Sequence, residues 1–185
     1  MNKLNALNDL TPFLDALSYA AAMHRTQKRK DADRSPYINH PIAVMHTLWQ
    51  AGVRDVPLLT AALLHDTVED TPASEADLRR RFGDEVTELV LEVTDDKSLS
   101  QPERKQAQID HAPHLSDRAA QLKIADKTCN LHDLIALPPE TWSHQRRVDY
   151  VKWSEKVVAQ LRGRFPQLEA IYDEQLTLAQ QALHV

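Results

Sequence analysis

The densest group of ionisable side chains in the sequence is the segment His65–Asp70, HDTVED, which directly follows the apolar run AALL. If one helix carries both runs, the pairs four residues apart, His65 with Glu69 and Asp66 with Asp70, each share a face. Charged groups beside an apolar surface are costly to bury unless they are paired or bind a metal. The segment alone favours two readings equally: a metal site, or a helix end with a solvated acidic tail.

Two further segments offer ligands of the same kinds. His40 lies in the first turn of a predicted helix, within INHP, and Asp126 lies inside the apolar-rich stretch LKIADK. Each by itself is more typical of a core or capping histidine, or of an ion pair with a neighbouring lysine. Together with His65 and Asp66 they supply two imidazoles and two carboxylates, which suit Mn²⁺, Fe²⁺ or Zn²⁺. No thiolate belongs to the pattern, which argues against a structural zinc site.

The order His, His-Asp, Asp resembles the HD superfamily of metal-dependent phosphohydrolases. A closer similarity is to the hydrolase domain of the RelA/SpoT enzymes, in the segments QKRK at 27–30, PYINHP at 36–41, AALLHDTVEDT at 61–71, FG at 82–83 and LKIADK at 122–127. The segments TDDK at 94–97 and RVDYVKW at 147–153 are most similar to the stand-alone small alarmone hydrolases, including the metazoan SpoT homologue. The resemblance covers nearly the whole chain.

This resemblance implies a single HD phosphohydrolase domain over residues 1–185 that removes the 3′-diphosphate from guanosine tetra- or pentaphosphate. The products would be GDP or GTP and pyrophosphate. The resemblance further implies water activation by Glu69 and Asp70, and one divalent ion per chain, usually Mn²⁺, on His40, His65, Asp66 and Asp126. General chemistry agrees, because a divalent ion lowers the pKa of bound water and a carboxylate one turn away can accept the proton.

Basic and polar residues of the chain match substrate-binding positions of the same family. The matching residues are Arg29, Lys30, Lys123, Asn130 and Tyr150, and Arg146 lies one turn before Tyr150. The resemblance implies that Arg29 lies against the guanine ring, Lys123 binds phosphate and Asn130 binds the nucleoside. A planar guanidinium can stack on a base, whereas a lysine acts as a point charge. Without the resemblance, Arg29, Lys30, Lys123 and Tyr150 would be interpreted as solvated charges or an aromatic at the core edge.

The sequence leaves three functions open. The first is an alarmone 3′-pyrophosphohydrolase, and the second removes the 2′-phosphate of NADPH, as is implied for members like the metazoan enzyme. Both substrates present phosphate next to a ribose, so the residues do not separate them. The third is a degenerate HD module that binds a nucleotide and regulates a partner without catalysis. The four ligands and two further carboxylates favour an enzyme, because a binding module has no need of Glu69.

Helices must bring these distant residues together. The chain has only 3 Gly and 10 spaced Pro, a composition that disfavours tight hairpins and is typical of helices separated by proline. Apolar residues recur at helical spacing through most of the chain. We therefore predict an all-α, single-domain HD-type helical bundle of about eight to nine helices.

Cap and breaker residues predict where these helices begin and end. Thr11 is expected to be the first N-cap, followed by Pro12, and a second helix should run from Asn39 or His40 to near Gly52. A third should start near Pro57 and continue through HDTVED. The remaining predicted helices are Ser74 to Gly83, a stripe over 86–93, 102–111, Ser116 to about Leu137, about Ser143 to Arg162, and one from Pro166.

Charge and composition limit the partners. With 22 Lys+Arg against 27 Asp+Glu, the net charge is −5, which argues against nucleic-acid or membrane-surface binding. The single cysteine suits a reducing compartment, and the N-terminal residues 1–17 lack the apolar core of a secretory signal, so a cytoplasmic location is expected. A small-molecule nucleotide is the expected partner, and the oligomeric state is left open.

Overall fold

Nine α-helices and one 3₁₀ turn make up the part of the chain that the computed structural model describes, residues 10–185. They are α1 (Thr11–Met23), α2 (Asn39–Gln50), α3 (Val56–Leu64), α4 (Thr67–Asp70), α5 (Glu75–Val93), α6 (Gln101–His111), the 3₁₀ turn (Ala112–His114), α7 (Asp117–Ala136), α8 (His144–Ala159) and α9 (Pro166–Leu183). The predicted all-α class and helix number are confirmed. The prediction about a secretory signal concerns a stretch of which residues 1–9 lie outside the described residues.

Side-chain caps start four of the described helices, and three of these caps are serines at or near predicted helix starts. Asp55, Ser74, Ser116 and Ser143 each accept a backbone N–H of the first turn that follows, and such a cap is typically worth about 1 kcal/mol. The predicted cap at Thr11 is wrong. Leu10 occupies that position with helical φ and ψ angles, and its carbonyl accepts the N–H groups of Phe13 and Leu14.

The predicted third helix does not run through HDTVED. α3 ends at Leu64, His65 and Asp66 form a turn, and the single-turn helix α4 follows. Asp66 stays in the right-handed region but departs from regular α-helical angles, with φ −96° and ψ −2°, and the Thr67 hydroxyl donates to the Leu64 carbonyl at 2.6 Å. One helical turn still joins Asp66 to Asp70, because the Asp70 N–H donates to the Asp66 carbonyl at 2.9 Å, although the two side chains line different cavities.

Gly83 divides α5 into two helical segments. Its φ of 81° and ψ of 174° lie far from helical values, so the predicted helix end at this residue is confirmed even though the flanking segments are nearly continuous. Side-chain-bearing residues rarely adopt this conformation. After the break, Val86 and Val90 face the core as the periodicity predicts.

The core is built around α3 and α7. Seven of the nine residues of α3 are buried, and eleven residues of α7 are buried on several sides of that helix. α7 packs against α2, α3, α5, α8 and α9, while α3 packs against α1, α2 and α5. The helices α2, α3 and α7 therefore meet one another, which brings segments near residues 40, 65 and 126 together. No helix between residues 10 and 185 has both the length and the apolar character needed to cross a bilayer.

We predict that Gly83→Ala destabilises the protein by about 1–3 kcal/mol, because alanine must adopt a backbone conformation that is nearly exclusive to glycine. No atom lies within 4 Å of the position that its Cβ would occupy, so the cost comes from the backbone and not from a clash. Urea unfolding and the Tm measure it. The exposed Glu174→Ala on α9 is the control and should change stability by less than about 0.5 kcal/mol. Equal stability of the two variants would contradict the prediction.

Candidate active site

Three potential metal ligands converge where α2, α3 and α7 meet. His40 is the second residue of α2, His65 directly follows α3, and Asp126 lies in the middle of α7. The Nε2 atoms of His40 and His65 lie 3.1 Å and 3.9 Å from Asp126 Oδ1. One ligand atom of each residue lies within 4.8 Å of the others, and both imidazoles are buried. This arrangement can hold a divalent cation.

The hydrogen bonds of His65 fit a metal ligand. Its Nδ1–H donates to the Ala62 carbonyl at 2.8 Å, so the Nε2 atom carries the lone pair. This Nε2 is buried and has no hydrogen-bond partner among the described residues, which is costly without a ligand. A histidine whose second nitrogen is held by a carbonyl is the usual arrangement in metal sites.

Asp66 adjoins this group and is held by a tyrosine. Its Oδ2 lies 3.2 Å from His65 Nε2 and 3.8 Å from His40 Nε2, and it accepts the Tyr37 hydroxyl at 2.6 Å. Burial and the Asp66 carboxylate raise the pKa of Tyr37 far above its usual value, so the phenol remains a donor. The Tyr37 ring stacks on the buried His24, at 4.9 Å between centroids. Tyr37 was not among the predicted site residues, although it stands three residues before His40 in the segment PYINHP.

The two acidic residues of α4 point into different cavities. Glu69 lines a cavity of about 150 Å³ together with His40, His65 and Asp126. Its Oε2 accepts the Asp95 N–H at 3.1 Å, and burial raises its pKa. His65 and Glu69 thus share a cavity as expected, despite the break in the helix.

Asp70 instead lines a neighbouring cavity, together with Arg29 and Tyr150. It accepts hydrogen bonds from Gln27 at 3.0 Å and from Lys97 at 2.8 Å. The same Lys97 ammonium lies 3.2 Å from Glu69 Oε1, so it links the two carboxylates.

Two buried lysines of α7 surround Asp126. Lys123 lines the metal cavity and donates to the Val93 carbonyl at 3.0 Å, and burial lowers its pKa. Lys127 lies 3.2 Å from Asp126 Oδ2 and 4.3 Å from the centre of the Trp153 ring. The ion pair that sequence analysis considers for Asp126 therefore exists, and it leaves Oδ1 turned toward the histidines.

A second cavity of about 390 Å³ opens beside the metal cavity and contains Arg29, Lys30 and Tyr150. Arg29 Nη2 donates to Asp133 Oδ2 at 2.6 Å and to Asn130 Oδ1 at 3.4 Å. The Asn130 amide in turn donates to Asp126 Oδ1 at 2.6 Å. Asn130 lines both cavities and connects the arginine to the metal ligands.

Aromatic side chains form the far wall of this cavity. Tyr150 lies between Trp142 and Trp153, with ring centroids at 5.7 Å and 5.3 Å. Arg146 does not line this cavity, but its guanidinium lies 4.4 Å from the centre of the Trp142 ring. Trp142 and Asp133 were not predicted, because nothing in their local pattern distinguishes them from surface or core residues, whereas Trp153 ends the RVDYVKW segment.

Asp95 and Gln108 also line the metal cavity and were not predicted. The Gln108 amide donates to both Asp95 carboxylate oxygens at 2.8 Å. The Gln108 carbonyl oxygen is buried and unpaired among the described residues. Asp95 falls in the TDDK segment, which is the signal that could have identified it, whereas Gln108 carries no motif.

Comparison with known proteins places this geometry in a family. The family described as the HD domain matches residues 16–167. The guanosine-3′,5′-bis(diphosphate) 3′-pyrophosphohydrolase MESH1 of Xenopus tropicalis is 46% identical over 167 residues, which are 90% of this chain and 93% of the relative. The human protein of the same name is 47% identical over 163 residues, which are 88% of this chain and 91% of the relative.

A solved structure agrees with these sequence relatives. The structure of a metazoan ortholog of SpoT that hydrolyses ppGpp superposes with a TM-score of 0.88 at 47% identity, covering 91% of this chain and 95% of that one. The resemblance to HD-type alarmone hydrolases and the expected HD fold are thereby confirmed. The chain belongs to the HD-domain family, in the group that contains the MESH1 proteins.

Proposed function

We propose that this chain is a metal-dependent guanosine-3′,5′-bis(diphosphate) 3′-pyrophosphohydrolase, contained in one HD phosphohydrolase domain. The observation that carries the proposal is the bridge formed by Asn130, which joins the buried group His40, His65 and Asp126 to a cavity that contains Arg29. A reactive phosphate and a nucleobase can therefore be bound side by side. The activity in the names of the relatives, which are 46% and 47% identical, supports the same reaction.

The proposed metal is a divalent ion such as Mn²⁺, held by His40, His65 and Asp126 with Asp66 as a fourth ligand. Two nitrogen and two oxygen donors suit ions of this class. When bound, the ion would supply Lewis acidity toward the phosphoryl oxygens and lower the pKa of water. Tyr37 would keep the Asp66 carboxylate in place through its short hydrogen bond.

Glu69 is the proposed general base. In the reaction a water oxygen bonds to the phosphorus attached to ribose O3′, the P–O3′ bond breaks, and pyrophosphate leaves. Glu69 accepts the proton of the water, and O3′ gains a proton as the nucleoside diphosphate forms. Burial raises the Glu69 pKa, which makes the carboxylate a stronger base than an exposed one. Asp70 acts less directly. Lys97 contacts both carboxylates, so Asp70 helps to position Glu69 through this lysine.

The remaining predicted residues bind the nucleotide. Asp133 holds the guanidinium of Arg29, and this fixed plane can stack on a base. Asn130 lines both cavities, so a nucleoside that spans them lies beside it. Tyr150 forms part of the aromatic wall. Lys123 places a buried positive charge beside the metal cavity, while the exposed Lys30 adds a charge at the mouth of the larger cavity.

The direct test is product analysis with guanosine tetraphosphate, with and without Mn²⁺, beside a parallel assay with NADPH. We expect metal-dependent release of GDP and pyrophosphate in equal amounts. If the protein releases phosphate from NADPH and does not hydrolyse guanosine tetraphosphate, NADPH becomes the proposed substrate and the proposed site stays the same. No turnover of either substrate with metal bound would favour a regulatory nucleotide-binding module.

We predict that removal of the metal lowers the Tm and abolishes turnover together. The ligands come from α2, the end of α3 and α7, so a bound ion links three helices and stabilises the native state by mass action. At metal concentrations of 100 to 1,000 times the Kd, this stabilisation is about 3–4 kcal/mol. Calorimetry with and without a chelator measures it, with metal content determined separately. An unchanged Tm after confirmed metal loss would contradict the linking role.

We predict that Glu69→Gln lowers kcat by about 10² to 10⁴-fold, the usual contribution of general-base catalysis. Glutamine keeps the shape of the side chain and an oxygen that can accept the Asp95 N–H, but it cannot take a proton. The measurement is kcat together with metal content. Glu174→Gln, on the exposed face of α9, is the matched control and should retain full activity. A kcat within a few-fold of wild type at full metal occupancy would show that Glu69 is not the base.

We predict that Tyr37→Phe weakens metal binding by about 10- to 100-fold, because it removes the hydrogen bond that orients Asp66. The ring remains and still stacks on His24, so folding should be preserved. Metal titration of the purified protein measures the affinity. Tyr19→Phe, whose hydroxyl makes no hydrogen bond among the described residues, serves as the control. Equal metal affinities in the two variants would refute the positioning role.

A further inference from the structure

The buried side chain of His24, at the end of α1, lines neither the metal cavity nor the cavity that contains Arg29. His24 is the C-cap residue of α1 and is only 2% exposed. Its Nδ1 atom lies 2.6 Å from Gln27 Oε1, and the Gln27 N–H donates to the His24 carbonyl at 2.9 Å. The imidazole is therefore tied to one polar neighbour, the Gln27 amide.

The Gln27 amide connects His24 to Asp70. Its Nε2 atom donates to Asp70 Oδ2 at 3.0 Å. An ionised carboxylate only accepts hydrogen bonds, so the amide nitrogen must face Asp70 and the amide oxygen must face His24. His24 therefore donates from Nδ1. Its Nε2 is buried and unpaired among residues 10–185, so a proton on that nitrogen would have no acceptor.

His24 also contacts the tyrosine that holds Asp66. Its ring stacks on Tyr37, whose hydroxyl donates to Asp66. The Tyr37 N–H donates to the Gln27 carbonyl at 3.1 Å, so the backbones of these two residues are paired. Gln27 and Tyr37 thus reach the first and last residues of one helical turn, Asp66 and Asp70, and His24 contacts both of them.

Asp70 has a second partner, but that partner is exposed. Lys97 Nζ donates to Asp70 Oδ1 at 2.8 Å, and 50% of the Lys97 side chain is open to solvent. Exposed ion pairs contribute little toward holding a side chain in one position. The Gln27 amide is instead held from its other end by a buried imidazole. The orientation of the Asp70 carboxylate therefore depends mainly on Gln27 and His24.

We propose that His24 is a positioning residue, which orients Asp70 through Gln27 and thereby Glu69 through the shared Lys97. The proposal rests on the proposed function, in which Glu69 is the general base. His24 determines which way the Gln27 amide points, because a flipped amide would place its oxygen against the Asp70 carboxylate and lose both hydrogen bonds. A base that is displaced from its water transfers the proton more slowly.

Two substitutions of His24 separate its hydrogen bond from its ring. His24→Phe keeps a ring that stacks on Tyr37 but lacks the donor, whereas His24→Asn keeps an N–H donor near the position of Nδ1. We expect His24→Phe to lower kcat for guanosine tetraphosphate about tenfold, the value of one hydrogen bond, with KM and metal affinity within about twofold of wild type. His24→Asn should retain more of the kcat than His24→Phe.

A purely structural role predicts the opposite order of the two variants. Asparagine leaves a cavity where the ring was, whereas phenylalanine fills the space, so the Tm should fall further in His24→Asn. The matched control is His46→Phe, at an exposed histidine of α2, which should leave kcat and metal affinity unchanged. A lower kcat in His24→Asn than in His24→Phe would overturn the proposal.

Gln27→Met supplies an independent variant if His24 cannot be replaced without loss of folding, because Gln27 is only partly buried. His24 acts through Gln27, so His24→Phe should cost no further activity once Gln27 is replaced. We expect the kcat of the double variant to equal that of Gln27→Met within about twofold. Losses that add, or a wild-type kcat in Gln27→Met, would contradict the positioning role.

The tautomer of His24 separates this proposal from the proposed function. If wild type hydrolyses no nucleotide, the proposed function fails, but NMR of the ring nitrogens in the protein loaded with diamagnetic Zn²⁺ still tests the hydrogen bonds. We expect the His24 proton on Nδ1, and Gln27 side-chain amide signals that shift in His24→Phe but not in His46→Phe. A proton on His24 Nε2, or Gln27 signals unchanged in His24→Phe, would overturn the proposal.

Discussion

The burial of ionisable side chains at the meeting point of α2, α3 and α7 is the constraint on which the rest of the structure depends. His40, His65 and Asp126 are packed inside a helical core where an isolated charge is very costly. Lys127 contacts one Asp126 oxygen and Asn130 donates to the other, and these contacts offset part of that cost. The buried Nε2 of His65 has no hydrogen-bond partner of good geometry among the described residues, and a bound ligand would satisfy it. A bound metal would therefore couple its binding to folding at the same atoms.

The interruption between α3 and α4 serves the same site. In a continuous helix, adjacent residues are separated by about 100° and cannot both face one ion easily. The turn at His65 and Asp66 lets both adjacent side chains approach the same group, and it sends Glu69 and Asp70 into different cavities. The periodicity of AALLHDTVED is continuous, so the sequence predicts one helix there. Local hydrogen bonding by Thr67 and the contacts of Asp66 with Tyr37 outweigh that periodicity.

Prediction from the sequence succeeded where a local signal exists. Prolines, serine caps and Gly83 mark most helix boundaries, and the motifs bring His40, His65 and Asp126 to one place. It failed where tertiary contacts determine which side chains line the site. Nothing near Gln108 or Trp142 in the chain indicates that their side chains line the site, because only the packing of distant segments brings them there. The sequence also does not show which neighbouring lysine pairs with Asp126, because the pairing depends on how α7 packs. In the structure this lysine is Lys127.

The distribution of charge explains how an acidic protein can bind a polyanion. The net charge of −5 describes the whole surface, whereas Arg29, Lys123 and Lys105 line three adjoining cavities. A concave, partly buried space focuses the field of the charges that line it, so local sign and not net charge determines which ligand enters. Asn130 joins the first two cavities, and Glu69 joins the second to the third. Glu69, whose pKa is raised by burial, lies beside the metal ligands in the second of these cavities, next to the buried positive charge of Lys123.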